Sequence, residues 1–150
     1  MSQEFRSLNC HALDVANLII KKYIDNDVYI SNLILQKVLY FVQRNSLQNK
    51  NTSLFTEQFE AWKFGPVVPE VYYNFCCYGA FPLVLDDGAQ LIERPEISEI
   101  INFEFEKCRD RTPFELVQET HRHGGAWKKI VRDGSGLRHA IPNSLICELG

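Results

Sequence analysis

The chain has 150 residues, 45% of them apolar and 23% charged, with a formal net charge of −3; this is the length and composition of one globular domain spanning residues 1–150, and it excludes a disordered or collagen-like chain. A pI of about 5.8, with no block of like charge, argues against nucleic acid as a partner, since that requires a basic stripe. The longest apolar run, Val15 to Ile20, is broken by Asn17 and closed by Lys21 and Lys22, short of the ~20 residues of a membrane span, and Met1-Ser-Gln-Glu-Phe-Arg lacks the start of a signal peptide, so a cytoplasmic protein with no membrane partner is expected.

Residues 9–24 carry Leu13, Ala16, Ile19 or Ile20 and Tyr23 at three-to-four spacing, which predicts an amphipathic helix with Asn9 as its N-cap. A second helix starts at Ser31 and runs through Leu35, Val38, Leu39 and Val42 to about Leu47; its wide apolar stripe places it centrally, with Gln36 and Lys37 read as exposed. After a polar loop over 48–53, Phe55, Phe59 and Ala61 alternate with Thr56, Gln58 and Glu60, as in a half-buried strand or extended arm. Gly65-Pro66 is read as its stop, and Pro69-Glu70 as a helix start, because proline lacks an amide that the first turn leaves unpaired anyway. That helix carries Val71, Tyr72, Phe75 and Tyr78 and ends at Gly79.

Residues 83–92 resemble a short hairpin turning at Asp86-Asp87-Gly88. Helical spacing returns over Pro95 to Lys107. Thr112-Pro113-Phe114-Glu115 is a capping box with proline at the first helical position, opening a helix that stops around His123-Gly124-Gly125. Trp127 to Val131 forms another short helix, Asp133 to Gly136 a loop, and Ile141 to Ile146 an extended contact followed by a final turn. The fold class is therefore mainly α, a compact domain of about six or seven helices with a minor β-hairpin or extended arm.

Five cysteines, Cys10, Cys76, Cys77, Cys108 and Cys147, are odd in number and lack Cys-x-x-Cys spacing, so reduced, buried thiols are expected. Cys76 and Cys77, adjacent on a helix, point about 100° apart and cannot share one metal. His121-x-His123 is the one local metal candidate, yet residues two apart on a helix face opposite sides; the plainer reading packs His121 at the helix end near Trp127, where the dipole favours its charged form. No glycine loop or nucleophile motif is present, and Gly134-Ser-Gly136 follows no strand. Neither an enzyme, a cofactor nor a metal is expected. Recognition remains: Trp62, Phe64, Tyr72, Tyr73 and Trp127 have the composition of interface anchors, while aromatic residues in a small helical domain are more often core. Val67-Val68, between two prolines, is a rigid apolar knuckle that suits either role.

Val15-Ala16-Asn17, Leu35-Gln36-Lys37-Val38-Leu39-Tyr40-Phe41-Val42-Gln43, the block from Phe59 through Ala61-Trp62-Lys63-Phe64-Gly65-Pro66-Val67-Val68-Pro69 to Tyr72, and Thr120-His121 before Trp127-Lys128 together resemble the Panacea family, also called SocA-like or phage-associated GepA, over about residues 10–146. The resemblance implies a mostly helical domain with a small β element, found in bacteria, phages and mobile elements. Its members resemble antitoxins that neutralise diverse toxins, and the namesake looks like an adaptor delivering its toxin to a cytosolic AAA+ protease. The expected partner is thus a protein, either a toxin or a host defence protein, with delivery to a cytosolic protease as the alternative to direct inhibition. The expected centres are Trp62, Lys63, Phe64, Gly65, Pro66, Val67, Val68, Pro69, Tyr72, His121, Trp127 and Lys128. The chain departs from the family in having Gly125-Ala126 where proline tends to precede the tryptophan, in a tail that stops soon after Leu145, and in lacking an added domain, so autoregulation by DNA binding is not expected.

Overall fold

Ser31 opens the element on which the rest is assembled: its Oγ accepts from the Ile34 amide (3.3 Å) and starts helix α2 (Asn32–Lys50). The structure, a computed structural model, describes residues 4–150; Met1, Ser2 and Gln3, which belong to the segment read above for a signal peptide, lie outside them. α2 packs against α1 (Ala12–Asp25), α4 (Pro95–Cys108), α5 (Pro113–Thr120), α7 (Asn143–Leu149) and the short α3 (Pro69–Phe75). It runs three residues past Leu47 and ends at Asn51, whose φ of 49° is the left-handed C-cap, so the expected loop begins later. Thr52–Phe55 is a buried strand, β2.

The predicted helix start at Asn9 is displaced. Arg6–Cys10 forms a strand, β1, parallel to β2, and Asn9 sits in it at φ 56° where the register slips. α1 is opened by His11 instead: its amide donates to Asp14 Oδ2 (3.2 Å), and the Ala12 amide donates to Glu57 Oε1 (3.1 Å), a partner 45 residues away.

The second sheet has the order β4-β3-β5, with β3 Phe59–Trp62, β4 Gly65–Val67 and β5 Ala140–Ile141, all antiparallel. Gly65-Pro66 therefore does not stop the arm but returns it. Lys63 and Phe64 form the tip, and Trp62 pairs with Gly65. Pro69 sits at the first position of α3 as expected, and Cys76–Tyr78 continues as a 3₁₀ turn rather than α-helix before Gly79. The expected hairpin over 83–92 is absent. Its turn forms, with the Ala89 amide donating to Asp86 O (3.0 Å), but the Leu83 amide is taken by Ile30 O (2.9 Å) and Leu83 is buried against the core, so the flanks never pair.

α4 matches its predicted span, and α5 starts at the predicted cap, Thr112 Oγ1 accepting from the Glu115 amide (3.2 Å), but it ends at Thr120 with His121 as its C-cap, short of the expected stop around His123. α6 (Ala126–Val131) and α7 complete seven α-helices among the described residues, with 53% helix. The core draws residues from every helix and is rich in edge-on rings, Tyr23 on Phe105 at 4.8 Å and Tyr40 on Phe59 at 5.3 Å, an arrangement worth about 0.5–1.5 kcal/mol per pair beyond burial. Of the five thiols expected to be buried, Cys108 is and Cys10 and Cys147 are partly so, whereas Cys76 and Cys77 are exposed on a 3₁₀ turn none of whose residues is buried.

Candidate functional site: an aromatic groove beside the Gly-Pro hairpin

Two prolines three residues apart, Pro66 and Pro69, interrupt the backbone pairing of the 66–72 segment, since neither has an amide to donate. α2 supplies those partners from side chains. Lys37 Nζ donates to Pro66 O (2.6 Å), Gln36 Oε1 accepts from the Val68 amide (3.1 Å), Gln36 Nε2 donates to Asn32 Oδ1 (3.1 Å), and Asn32 Nδ2 donates to Tyr72 O (3.1 Å). Gln36 and Lys37, read as exposed from the helical pattern, are 1% and 0% accessible. The pattern misses them because the knuckle covers their side of the helix and needs polar groups there. Burial pushes the Lys37 amine down to about 7.

Gly65 lets the hairpin approach. Its φ is +107°, and a Cβ there would lie 2.6 Å from Thr120 Oγ1 and 3.0 Å from both Lys37 Cε and Nζ, closer than real side chains tolerate. The glycine is thus the point where β4, α2 and α5 meet. α5 is drawn to α2 by Glu119, which accepts from Arg44 (2.7 Å) and Arg111 (2.6 Å); burial pushes its carboxyl up, but the two guanidiniums outweigh that and hold it low.

Behind the hairpin, Trp127 Nε1 donates to Trp62 O (2.8 Å), and His121 stacks on the Trp127 ring at 3.6 Å and 14°. The predicted packing of His121 is thus observed, but its charge state is corrected: burial, with Lys37 and Lys128 nearby, pushes the imidazole down to about 4. Desolvation outweighs the helix dipole, and Nε2 is buried without a hydrogen-bond partner among the described residues. His123 is exposed, and no group of three metal-ligating side chains gathers among the described residues.

In front of the hairpin lies a groove of about 600 Å³ with Lys37, Trp62, Val67 and Tyr72 among its walls and Tyr29, Leu33, Phe64, Leu137 and Arg138 among its rim. Trp62 is the centre of a ring cluster: Tyr72 meets it edge-on at 5.0 Å, Tyr73 lies 6.1 Å away, and the Arg138 guanidinium covers it at 4.0 Å. The Trp62 Nε1 proton goes to Glu60 Oε1 (2.9 Å). A second depression of about 660 Å³, bounded by Leu33, Lys63, Phe64, Pro113, Phe114, Val117, Gln118 and His121, shares the hairpin tip with the first.

A profile of the family described as Antitoxin SocA-like, Panacea domain, matches residues 35–128. The chain belongs to this family. It is also 33% identical over 147 residues to a protein named Antitoxin SocA from Caulobacter vibrioides (strain NA1000 / CB15N), an alignment covering 91% of this chain and 77% of that protein. No solved structure matches.

Within the Panacea domain, the motif residues divide into two groups. Gly65, Pro66 and Val68 are buried and bind the hairpin to α2, and Pro69 starts α3. Trp127 is buried as the back support of Trp62, and Lys128 is exposed, its Nζ 6.0 Å from the Trp127 ring centroid, and lines neither depression. Trp62, Lys63, Phe64, Val67 and Tyr72 line the first groove, and His121 the second. Sequence reasoning missed Asn32, Leu33, Leu137 and Arg138. Asn32 carries a findable signal, standing one helical turn before Gln36 on the same face; the others reach the groove only through the chain path.

Proposed function

We propose that this Panacea domain is a cytosolic antitoxin that neutralises a protein toxin by direct contact, using the face formed by the hairpin tip and the groove in front of it. The observation carrying this reading is the concentration of exposed rings and aliphatic side chains there: Phe64 is 57% accessible, Phe114 69%, Tyr29 49% and Leu137 39%, and all border the two depressions. Large apolar groups left in water around a preformed concavity are the usual mark of a recognition surface. The support behind them is rigid, because Trp62 is held from the back by Trp127 and the knuckle by Lys37, Gln36 and Asn32. The name of the Caulobacter relative points the same way. Occlusion requires no catalytic group, only an interface of roughly 1,200–2,000 Å² with a few buried anchors.

Co-expression with the product of the adjacent reading frame tests the proposal. Restored growth together with a stable co-purifying complex supports it. Failure to restore growth, with no complex, removes it, and restored growth accompanied by a shortened half-life of the toxin assigns the chain to protease delivery instead.

A further inference from the structure

The charge of the groove is out of keeping with the charge of the chain. Nineteen acidic residues outnumber sixteen basic ones overall, yet neither depression is lined by a carboxylate, whereas Lys37, Lys63 and Arg138 line the first and Lys63 the second. Lys37 spends its amine on Pro66 O. Lys63 and Arg138 are exposed, and the groups facing them are rings: Lys63 Nζ lies 5.5 Å from the Phe64 centroid and the Arg138 guanidinium 4.0 Å from that of Trp62. Each is a cation without a paired anion among the described residues, set on the lip of an apolar trough.

We propose that the groove takes a linear, acidic segment of the protein partner, seating one large apolar side chain between Trp62 and Phe64 and placing flanking carboxylates against Lys63 and Arg138. The inference rests on the antitoxin reading above and names the chemistry of the segment recognised. A volume of about 600 Å³ suits one or two inserted side chains with their backbone, within the range of pockets that enclose a ligand, and a trough of this shape engages a protruding segment better than a flat surface. Carboxylates on both sides of the anchor make the trough's charge specify its occupant and speed its capture.

Single-stranded nucleic acid is also anionic and apolar-faced, but the geometry disfavours it. The Trp62 ring already carries the Arg138 guanidinium at 4.0 Å, with Tyr72 and Tyr73 5.0 and 6.1 Å away, so a base stacking on it would have to displace that cation. The aliphatic walls of Leu33, Val67 and Leu137 suit a Leu or Phe side chain instead.

Selection of random peptides displayed on phage against the immobilised full chain tests the idea. The expected winners carry an aromatic or leucine residue flanked by Asp and Glu, and a fluorescein-labelled winner loses about tenfold in affinity when Lys63→Glu and Arg138→Glu are combined, with a smaller loss for Lys63→Gln and Arg138→Gln. Raising salt narrows the difference, since these charges are exposed. Circular dichroism establishes that the variants are folded. Winners of neutral or basic composition, no winner at all, an affinity indifferent to the charge reversal, or tighter binding of labelled oligothymidylate through the same residues would each overturn the inference. The two readings fail separately: a toxin complex that forms and is unmoved by the charge reversal sinks the acidic segment alone, while acidic peptides that bind beside a toxin that does not sink neutralisation by contact.

Discussion

Replacing Gly65 by alanine isolates the contact that sets the site. The residue has φ +107°, a conformation costing an L-residue about 1–3 kcal/mol. The added Cβ would also stand 2.6 Å from Thr120 Oγ1 and 3.0 Å from Lys37 Nζ, and neither can withdraw freely, because Thr120 Oγ1 donates to Val117 O (2.7 Å) and Lys37 to Pro66 O. Overpacking of this kind costs a further 1–3 kcal/mol, roughly. The expected loss is about 4 kcal/mol, a large fraction of the about 5–15 kcal/mol available to a domain, and a fall in Tm of about 8–16 °C. Gly134→Ala supplies the control: Gly134 has nearly the same φ, +109°, but nothing within 4 Å of its Cβ position, so it carries the backbone strain alone, about 2 kcal/mol. Thermal and urea unfolding of both variants, repeated for Gly65→Ala in a Thr120→Ala background, measures the difference. The Thr120→Ala background should recover about 1 kcal/mol as a coupling energy. Equal losses at Gly65 and Gly134, or no recovery on removing Oγ1, would refute the claim that close approach to α2 and α5 is what requires glycine.

Lys37 should make stability rise with pH. Its folded pKa of about 7 lies below the ordinary 10.5, so above pH 7 the unfolded chain holds the extra proton and unfolding becomes costlier by about 1 kcal/mol per pH unit. The rise should be read below pH 9, where the Cys108 thiol, pushed by burial from 9.0 to about 12, starts to act in the opposite sense, and Lys37→Met should flatten it in urea melts. His121 should weaken the fold in acid: with a folded pKa of about 4 against an ordinary 6.5, the unfolded chain takes the proton first, so stability falls as pH drops from 6.5 toward 4. His121→Phe, which keeps the stack on Trp127, should remove that component by comparison with the parent. Trp127→Phe should cost about 1–3 kcal/mol in thermal unfolding, since it removes the indole N–H that donates to Trp62 O (2.8 Å) and part of a buried ring. Phe64→Ala, at an exposed hairpin tip, should leave stability within about 0.5 kcal/mol yet, on the proposed function, weaken binding of the toxin by about 30-fold, the mark of an anchor, as calorimetric titration would show.

The elements legible in the sequence were those whose determinants sit within one helical turn. Ser31, Pro69 and Thr112-Pro113 start helices where expected because a cap acts on an amide three residues away, and the central position of α2 follows from its apolar stripe. The motif around Trp62 to Tyr72 could be located, but not divided into residues that support and residues that face water. That division depends on which side of α2 the knuckle covers, and Lys37 finds its partner 29 residues downstream. The same non-local competition moved Asn9 into a parallel strand with β2, gave the Leu83 amide to Ile30 O in place of a hairpin partner, and left His121 neutral by burying it on Trp127. The chain alone thus fixed where helices begin and which residues mark the family; only tertiary packing decided where the polar side chains are desolvated, because the cost of burying an amine or an amide is set by neighbours that local propensity cannot see.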